Sequence, residues 1–225
     1  VTPRIALIHA LAHSVAPINQ AFATQWPTAV LMNLLDDSLS TDLARSGGVL
    51  DAGMHARFVA LTDYAVGTGA GAVLFTCSAF GPCIEQAAAR HALIPVLKPN
   101  EAMIDDAVAA AITAGGSAAC IGLIASFAPT LSSMPPEFPD NIRLECELVE
   151  DAMLALDQGA LERHDDLVAA AAIRLRERGA QVIALAQFSM ARAADAVAHA
   201  TGLPVLTTPS SAIRLLQRRL IGDQK

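Results

Sequence analysis

The feature that most constrains this chain is a set of blocks written twice. "IPVLKPNEAMI" at 94–104 returns as "LPVLTTPSSAI" at 203–213. "IALI" at 5–8 returns as "IGLI" at 121–124, and "TCSAF" at 76–80 aligns with "QFSMA" at 187–191. The blocks keep their order, and their separations drift by only a few residues, as loop-length changes allow. Ordered self-similarity of this kind marks a repeated structural unit, so the sequence predicts two similar halves.

Each half reads as α/β. Short apolar runs alternate with longer segments of helical period. The strand candidates are 4–9, 28–33, 71–76, 94–97, 119–125, 142–146, 181–186 and 203–206. They are continuous rather than alternating, as strands covered on both faces are. Between them, 54–66 puts Met54, Phe58 and Leu61 on one stripe behind Asp51, a residue suited to capping. Residues 100–113 begin at Asn100, a good N-cap, and turn Ile104, Val108, Ala111 and Ile112 inward. Residues 161–178 stop before Gly179, where a left-handed residue ends a helix well. Strand–helix alternation implies parallel sheets with right-handed crossovers.

Composition excludes several classes. Hydrophobic residues are 53% of the 225 and charged residues 16%, ample for a core. The net charge of −7 gives no basic footprint for nucleic acid. No apolar run approaches the ~20 residues of a spanning helix, so no membrane partner is expected. The opening "VTPRIALIHALAHSVA" has some signal-peptide character, but His9 and His13 interrupt the apolar run, and "CIGLIAS" recurs mid-chain. It reads as a first strand of a cytoplasmic protein. The four cysteines, at 77, 83, 120 and 146, form no C-x-x-C and have no histidine at metal-ligand spacing; no metal is expected. Cys120 and Cys146 read as buried small hydrophobes, and Cys83 as structural. No G-x-G-x-x-G follows the first strand and no P-loop is present, which weakens a nucleotide-binding reading.

Chemistry is expected past the carboxyl ends of the strands, where ligands bind open parallel sheets. Cys77 stands there, followed by Ser78, Ala79, Phe80 and Gly81 and by Pro82, suited to a first helical position. A helix N-terminus favours an anion and a thiolate, so Cys77 is expected to have a lowered pKa. Gln187, Phe188 and Ser189 fill the matching turn of the second half. Ser78 and Ser189 read as carboxylate donors, as N-caps, or as both.

These residues, "LFTCSAFGP" after a strand and "LAQFSMA" in the matching turn, within two similar α/β halves, resemble the aspartate/glutamate racemase superfamily. That group includes amino-acid racemases, hydantoin racemases, maleate isomerases and arylmalonate decarboxylases. The resemblance spans nearly the whole chain. It implies two three-layer α/β domains related by a pseudo-two-fold, with the active site in the cleft between them and neither cofactor nor metal. It also implies that the last helix returns to the first domain, giving 1–98 plus 208–225 and 99–207. Members often form homodimers. In the racemases two cysteines flank the substrate; Cys77 matches the first, and Phe188 falls at the second, where it would shape an apolar wall. Decarboxylases of the group work with one cysteine, and in the maleate isomerases one cysteine is a nucleophile.

Other polar residues follow strand ends. His9, His13 and Ser14 follow the first strand and read as residues that reach the cleft, with His9 and Ser14 as substrate contacts or as satisfied structural residues; Ser126 follows the counterpart strand and reads as a carboxylate donor. Asn33 precedes "LLDDSLSTDLARSGG", which reads as a lid (33–48) or a solvated connection. Asn100 and Thr207 follow the fourth strands, with capping or connection as their reading. The charge runs "ERHDD" and "RLRERG" read as solvated helix faces. The leading expectation is a cofactor-independent, racemase-like enzyme acting on a small carboxylate through one cysteine. A decarboxylase or lyase of a small dicarboxylate, or a non-catalytic small-acid-binding protein, is the alternative.

Overall fold

The computed structural model describes residues 3–222; positions 1–2 and 223–225, the ends of the expected first domain, lie outside the described residues. The chain divides into two compact units, one running to Glu101 and resuming at Ala212, the other Ala102–Ser211.

The first unit contains β1 (Arg4–His9), α1 (Val15–Gln25), β2 (Val30–Leu35), α2 (Ser38–Arg45), α3 (Ala52–Gly67), β3 (Ala72–Phe75), α4 (Gly81–Arg90) and β4 (Val96–Leu97). Its sheet is parallel, in the order β2-β1-β3-β4. β1 and β3 lie inside the order, and both are sealed on each face, as their unbroken apolar runs require. Phe58 of α3 anchors one face, its ring 5.0 Å from Phe75 and 4.9 Å from Phe80. Asp51 caps α3 by accepting from the Met54 N–H, an interaction generally worth ~1 kcal/mol.

After α5 (Glu101–Gly115), the second unit repeats the plan with β5 (Cys120–Ala125), α6 (Ala128–Ser133), β6 (Arg143–Leu148), α7 (Glu150–Asp157), α8 (Leu161–Glu177), β7 (Val182–Leu185), α9 (Ala194–Thr201) and β8 (Val205–Thr207). Its sheet is parallel, in the order β6-β5-β7-β8. The two faces build separate cores. Ile121, Leu123, Val182 and Ala184 pack with Met103, Ile104, Ala107 and Ala111 of α5. Ile124, Ile183 and Leu185 pack with Val168, Ala171 and Leu175 of α8. This is helix, sheet, helix: three layers. Gly122 permits the second face to close, since a Cβ there would lie 3.0 Å from Leu175 Cβ and from Ile183 Cδ1. α10 (Thr208–Ile221) returns to the first unit, where Gln217 donates to the Gln25 carbonyl.

Several local expectations shift. β2 begins at Val30 rather than 28, because Ala29 N–H turns back to the Trp26 carbonyl. β4 and β8 start only after Pro95 and Pro204. Each proline lacks an N–H but still lends its carbonyl to the neighbouring strand, to Val73 and Ile183. Ile112 is exposed; Met103, Ile104, Ala107 and Ala111 form the inward stripe of α5. Cys146 is exposed, not buried, because β6 is an edge strand with a half-open face. His164, inside the run read as solvated, is fully buried, with Nδ1 2.8 Å from Asp165 Oδ1. The stretch read as a lid or open connection carries α2, pinned by the buried Leu39 and Leu43.

Candidate active site

In both units the strand register fixes where the critical turn begins. Thr76 N–H donates to the Ile8 carbonyl at 3.0 Å, and Ala186 N–H donates to the Ile124 carbonyl at 2.9 Å. Ile8 pairs with Phe75 in one sheet, and Ile124 with Leu185 in the other. Thr76 and Ala186 are therefore equivalent, and so are the residues after them, Cys77 and Gln187. Both are extended, at φ −122°, ψ 121° and φ −136°, ψ 147°, and both open a 3₁₀ turn, Ser78–Phe80 and Phe188–Ala193. This corrects the alignment by one residue: the counterpart of Cys77 is Gln187, and Phe188 matches Ser78. A sequence comparison had no means to set this register, because Ser appears in both turns and favoured pairing Ser78 with Ser189. Phe188 is buried within the second unit.

Cys77 is buried, and its thiol is pushed up to about 11, first by burial. The Ala79 N–H and the Ser40 hydroxyl act in the opposite direction through hydrogen bonds, and burial wins. The expected lowering of its pKa is thus overturned. α4 begins only at Gly81, and a helix dipole falls off within its first turn. Ser40 lies on α2, and its hydroxyl donates to the Ala10 carbonyl at 2.9 Å. Ser40 Oγ also lies within hydrogen-bonding reach of the Cys77 sulfur, and the Ala79 N–H points at it. Sequence reading missed Ser40 because the polar composition of 35–48 hid a helix; the Leu39/Leu43 pair at i, i+4 was its one signal.

His9 does not offer an open ring. Nδ1 lies 2.8 Å from Thr76 Oγ1, and Nε2 lies 2.9 Å from Asn33 Oδ1. Since an amide oxygen only accepts, Nε2 carries the proton and Nδ1 accepts from Thr76. Burial holds the imidazole below its ordinary pKa, with the Asn33 bond acting the other way. Asn33 in turn donates to Asn19 at 3.3 Å. This chain of bonds ends on the residue before Cys77. Ser14 is buried at the start of α1 and makes no capping bond; His13 lies in the turn before it.

In the second unit Ser126 and Gln187 meet. Gln187 Oε1 accepts from the Ser126 N–H at 2.6 Å and from its hydroxyl at 3.2 Å. Ser189 is no cap: the turn opens at Gln187 and α9 at Ala193, and Ser189 Oγ is buried without a partner. Ser78 likewise sits inside its turn, and α4 has Phe80 at its cap position with no side-chain bond. Asn100 stands just before α5, yet its Oδ1 is buried and unpartnered, so it does not cap. Thr208 Oγ1, at the start of α10 beside Thr207, is also buried and unpartnered. Buried polar atoms without partners are costly. Three of them, from Asn100, Ser189 and Thr208, follow strand ends of these sheets. Among the described residues no cluster of three His, Cys, Asp or Glu side chains is placed to hold a metal ion, and no helix is long and apolar enough to cross a membrane.

No family model matches the sequence, and no curated protein is significantly similar to it. Solved structures are. Glutamate racemase from Francisella tularensis in complex with D-glutamate superposes with a TM-score of 0.71 at 12% identity, covering 99% of this chain and 82% of that one. Allantoin racemase from Klebsiella pneumoniae gives 0.68 at 17% identity, covering 96% and 86%. A cysteine-bearing mutant of arylmalonate decarboxylase, in a sulfate-associated form, gives 0.62 at 14% identity, covering 99% and 95%. Racemases and a decarboxylase share this architecture, so it does not select a reaction; the chain has the fold of the aspartate/glutamate racemase superfamily.

Proposed function

We propose that this protein is a cofactor-independent enzyme of racemase-like fold that acts on a small carboxylate, with Cys77 as its one catalytic thiol. In this reading the strand-end turn of each unit supplies candidate substrate contacts. Ser78, Ala79 and Ser189 hold substrate oxygens, Ser126 and Gln187 form a second polar contact, and Phe188 supplies apolar bulk. His9 and Ser14 act from behind, His9 by fixing Thr76.

The observation that carries the reading is the setting of Cys77: a buried thiol, pushed up to about 11 by burial, with the Ala79 N–H and the Ser40 hydroxyl at its sulfur. A neutral thiol suits proton delivery better than proton abstraction. In the decarboxylase form of the reaction, a carboxylate leaves as carbon dioxide and its bonding pair stays on carbon as an enediolate. The carbon then takes the Cys77 proton. The thiolate so formed keeps the Ala79 N–H and gains the Ser40 O–H, once that hydroxyl turns from the Ala10 carbonyl. Solvent returns the proton. In the racemase form the same thiol delivers to one face, and the matching turn of the second unit supplies no second thiol, because Gln187 stands at the equivalent position. The lack of a thiol at the position equivalent to Cys77 supports one-faced protonation over two-base racemisation.

The test is Cys77→Ser. Loss of nearly all turnover with an unchanged circular-dichroism spectrum is expected. Retention of turnover within a few-fold of wild type would remove the thiol from the mechanism. Retained affinity for small acids, with no turnover by the wild-type chain on any of them, would favour the non-catalytic binding protein.

A further inference from the structure

We propose that Gln187, at the position where the first unit carries its thiol, is a fixed hydrogen-bond donor to an oxygen anion of the substrate. The proposal rests on the carboxylate-enzyme reading above and assigns to Gln187 a role that excludes acid–base chemistry.

Three observations support it. The first is the register: Gln187 follows Ala186 as Cys77 follows Thr76, in the same extended conformation and at the mouth of the same kind of turn. A strand-end position that presents the reactive side chain in one unit presents an amide in the other. The second is the clamp. The Ser126 N–H can only donate, so the amide atom at 2.6 Å from it is the oxygen. The Ser126 hydroxyl reaches the same oxygen. Gln187 is therefore not free to flip. The third is what the clamp leaves over. With Oε1 engaged, Nε2 has two N–H donors and makes no hydrogen bond among the described residues, on a side chain buried to 7% exposure. Nearby Ser189 Oγ, two residues along the same turn, is buried and unpartnered as well. Two unspent donor groups on one turn, an amide and a hydroxyl, suit the two oxygens of a carboxylate or an enediolate.

The chemistry follows. An amide neither takes nor gives a proton in the accessible pH range, but a preorganised N–H stabilises charge that develops on oxygen. Gln187 would thus stabilise a developing oxyanion without moving a proton. It is a donor that touches the reacting group, not a second base.

Gln187→Glu tests this with little change of shape. The carboxylate keeps an acceptor for the Ser126 N–H and hydroxyl, so the fold should hold, but it replaces the Nε2 donors with a negative oxygen. Malonate serves as the anionic probe and malonamide as its neutral counterpart, with affinities measured by calorimetry on the full chain. The expected result is malonate affinity lower by on the order of 10–100-fold, with an unchanged melting temperature and an unchanged response to malonamide. Malonate affinity within threefold of wild type, an equal loss for malonamide, or no malonate binding by the wild-type chain would overturn the proposal. Cys77→Ser separates the two claims. If Cys77→Ser still turns over while Gln187→Glu loses malonate, the single-thiol reading fails and the Gln187 donor stands. If Cys77→Ser is dead while Gln187→Glu binds malonate normally, the reverse holds.

Discussion

His9 Nδ1 accepts a hydrogen bond from Thr76 Oγ1 at 2.8 Å, and that threonine immediately precedes Cys77. The contact couples the end of β1 to the end of β3 and fixes the imidazole as the neutral tautomer with its proton on Nε2. Burial depresses the His9 pKa below 6.5. In the unfolded chain the ring takes up a proton near 6.5, and in the folded chain only at lower pH. Between those values the unfolded state binds more protons, so stability is full above about 6.5 and falls as pH drops through the folded pKa. Melting temperature should therefore decline from pH 7 toward pH 5, above the range where carboxylates titrate. His9→Gln, which can both accept from Thr76 and donate to Asn33, should flatten that decline. An equally steep decline in the variant would assign the acid sensitivity elsewhere.

Cys77 should be slow to alkylate. With its thiol pushed up to about 11, only ~0.01% is thiolate at pH 7. Iodoacetamide labelling, followed by peptide mass mapping, should be slow at neutral pH and climb through pH 9–11. Cys83, also raised to about 11, should follow the same course. Exposed Cys146 should label first. Rapid labelling of Cys77 at pH 7 would mean a thiolate already present in the ligand-free protein.

Ser40 should matter to the chemistry beyond its contribution to stability. Ser40→Ala removes the hydroxyl that lowers the Cys77 pKa and would meet the thiolate. Turnover should fall on the order of 10–100-fold, and the Cys77 alkylation profile should move to higher pH, while the lost bond to the Ala10 carbonyl costs about 1 kcal/mol of stability. Ser40→Thr, which keeps the hydroxyl, should recover most of both. A variant that loses stability but keeps the wild-type alkylation profile would make Ser40 a packing residue.

Gln187→Cys places a thiol at the position equivalent to Cys77. Under the proposed carboxylate-enzyme reading it should gain slow proton exchange on bound substrate. It also leaves the Ser126 N–H without its partner, at a cost of roughly 1–3 kcal/mol. Phe188→Cys, which the sequence alignment alone would choose, should gain no such exchange. Equal gains from both variants would undo the register argument in practice.

Much of this architecture was legible because it is written in apolar runs. β1 can be read from residues 4–9 to the residue, because "RIALIH" is a short continuous apolar run of the kind that strands covered on both faces show. The two four-stranded sheets follow from the repeat. What composition hid was local and polar. α2 was invisible behind Asp36, Asp37, Ser38 and Ser40, whose side chains serve as well in a loop as on a helix. The order of hydrogen bonds around His9 depends on two strands meeting 67 residues apart, which no local pattern encodes. The pairing of Cys77 with Gln187 was missed for a different reason: a one-residue register between strands is set by ladder hydrogen bonds, and similar letters in the turns pointed one step away. The Cys77 pKa was misjudged because position suggested a helix dipole, whereas burial, a three-dimensional quantity, decides it.

The most direct test of the single-thiol account is proton delivery in D₂O. A panel of 2-substituted malonates and 2-amino dicarboxylic acids would be incubated with the wild-type chain and with Cys77→Ser, then read by proton NMR and chiral chromatography. The account predicts deuterium at one face only, a single labelled enantiomer, and no label from Cys77→Ser. Label on both faces from the wild-type chain, or one-faced label that persists in Cys77→Ser, would contradict it.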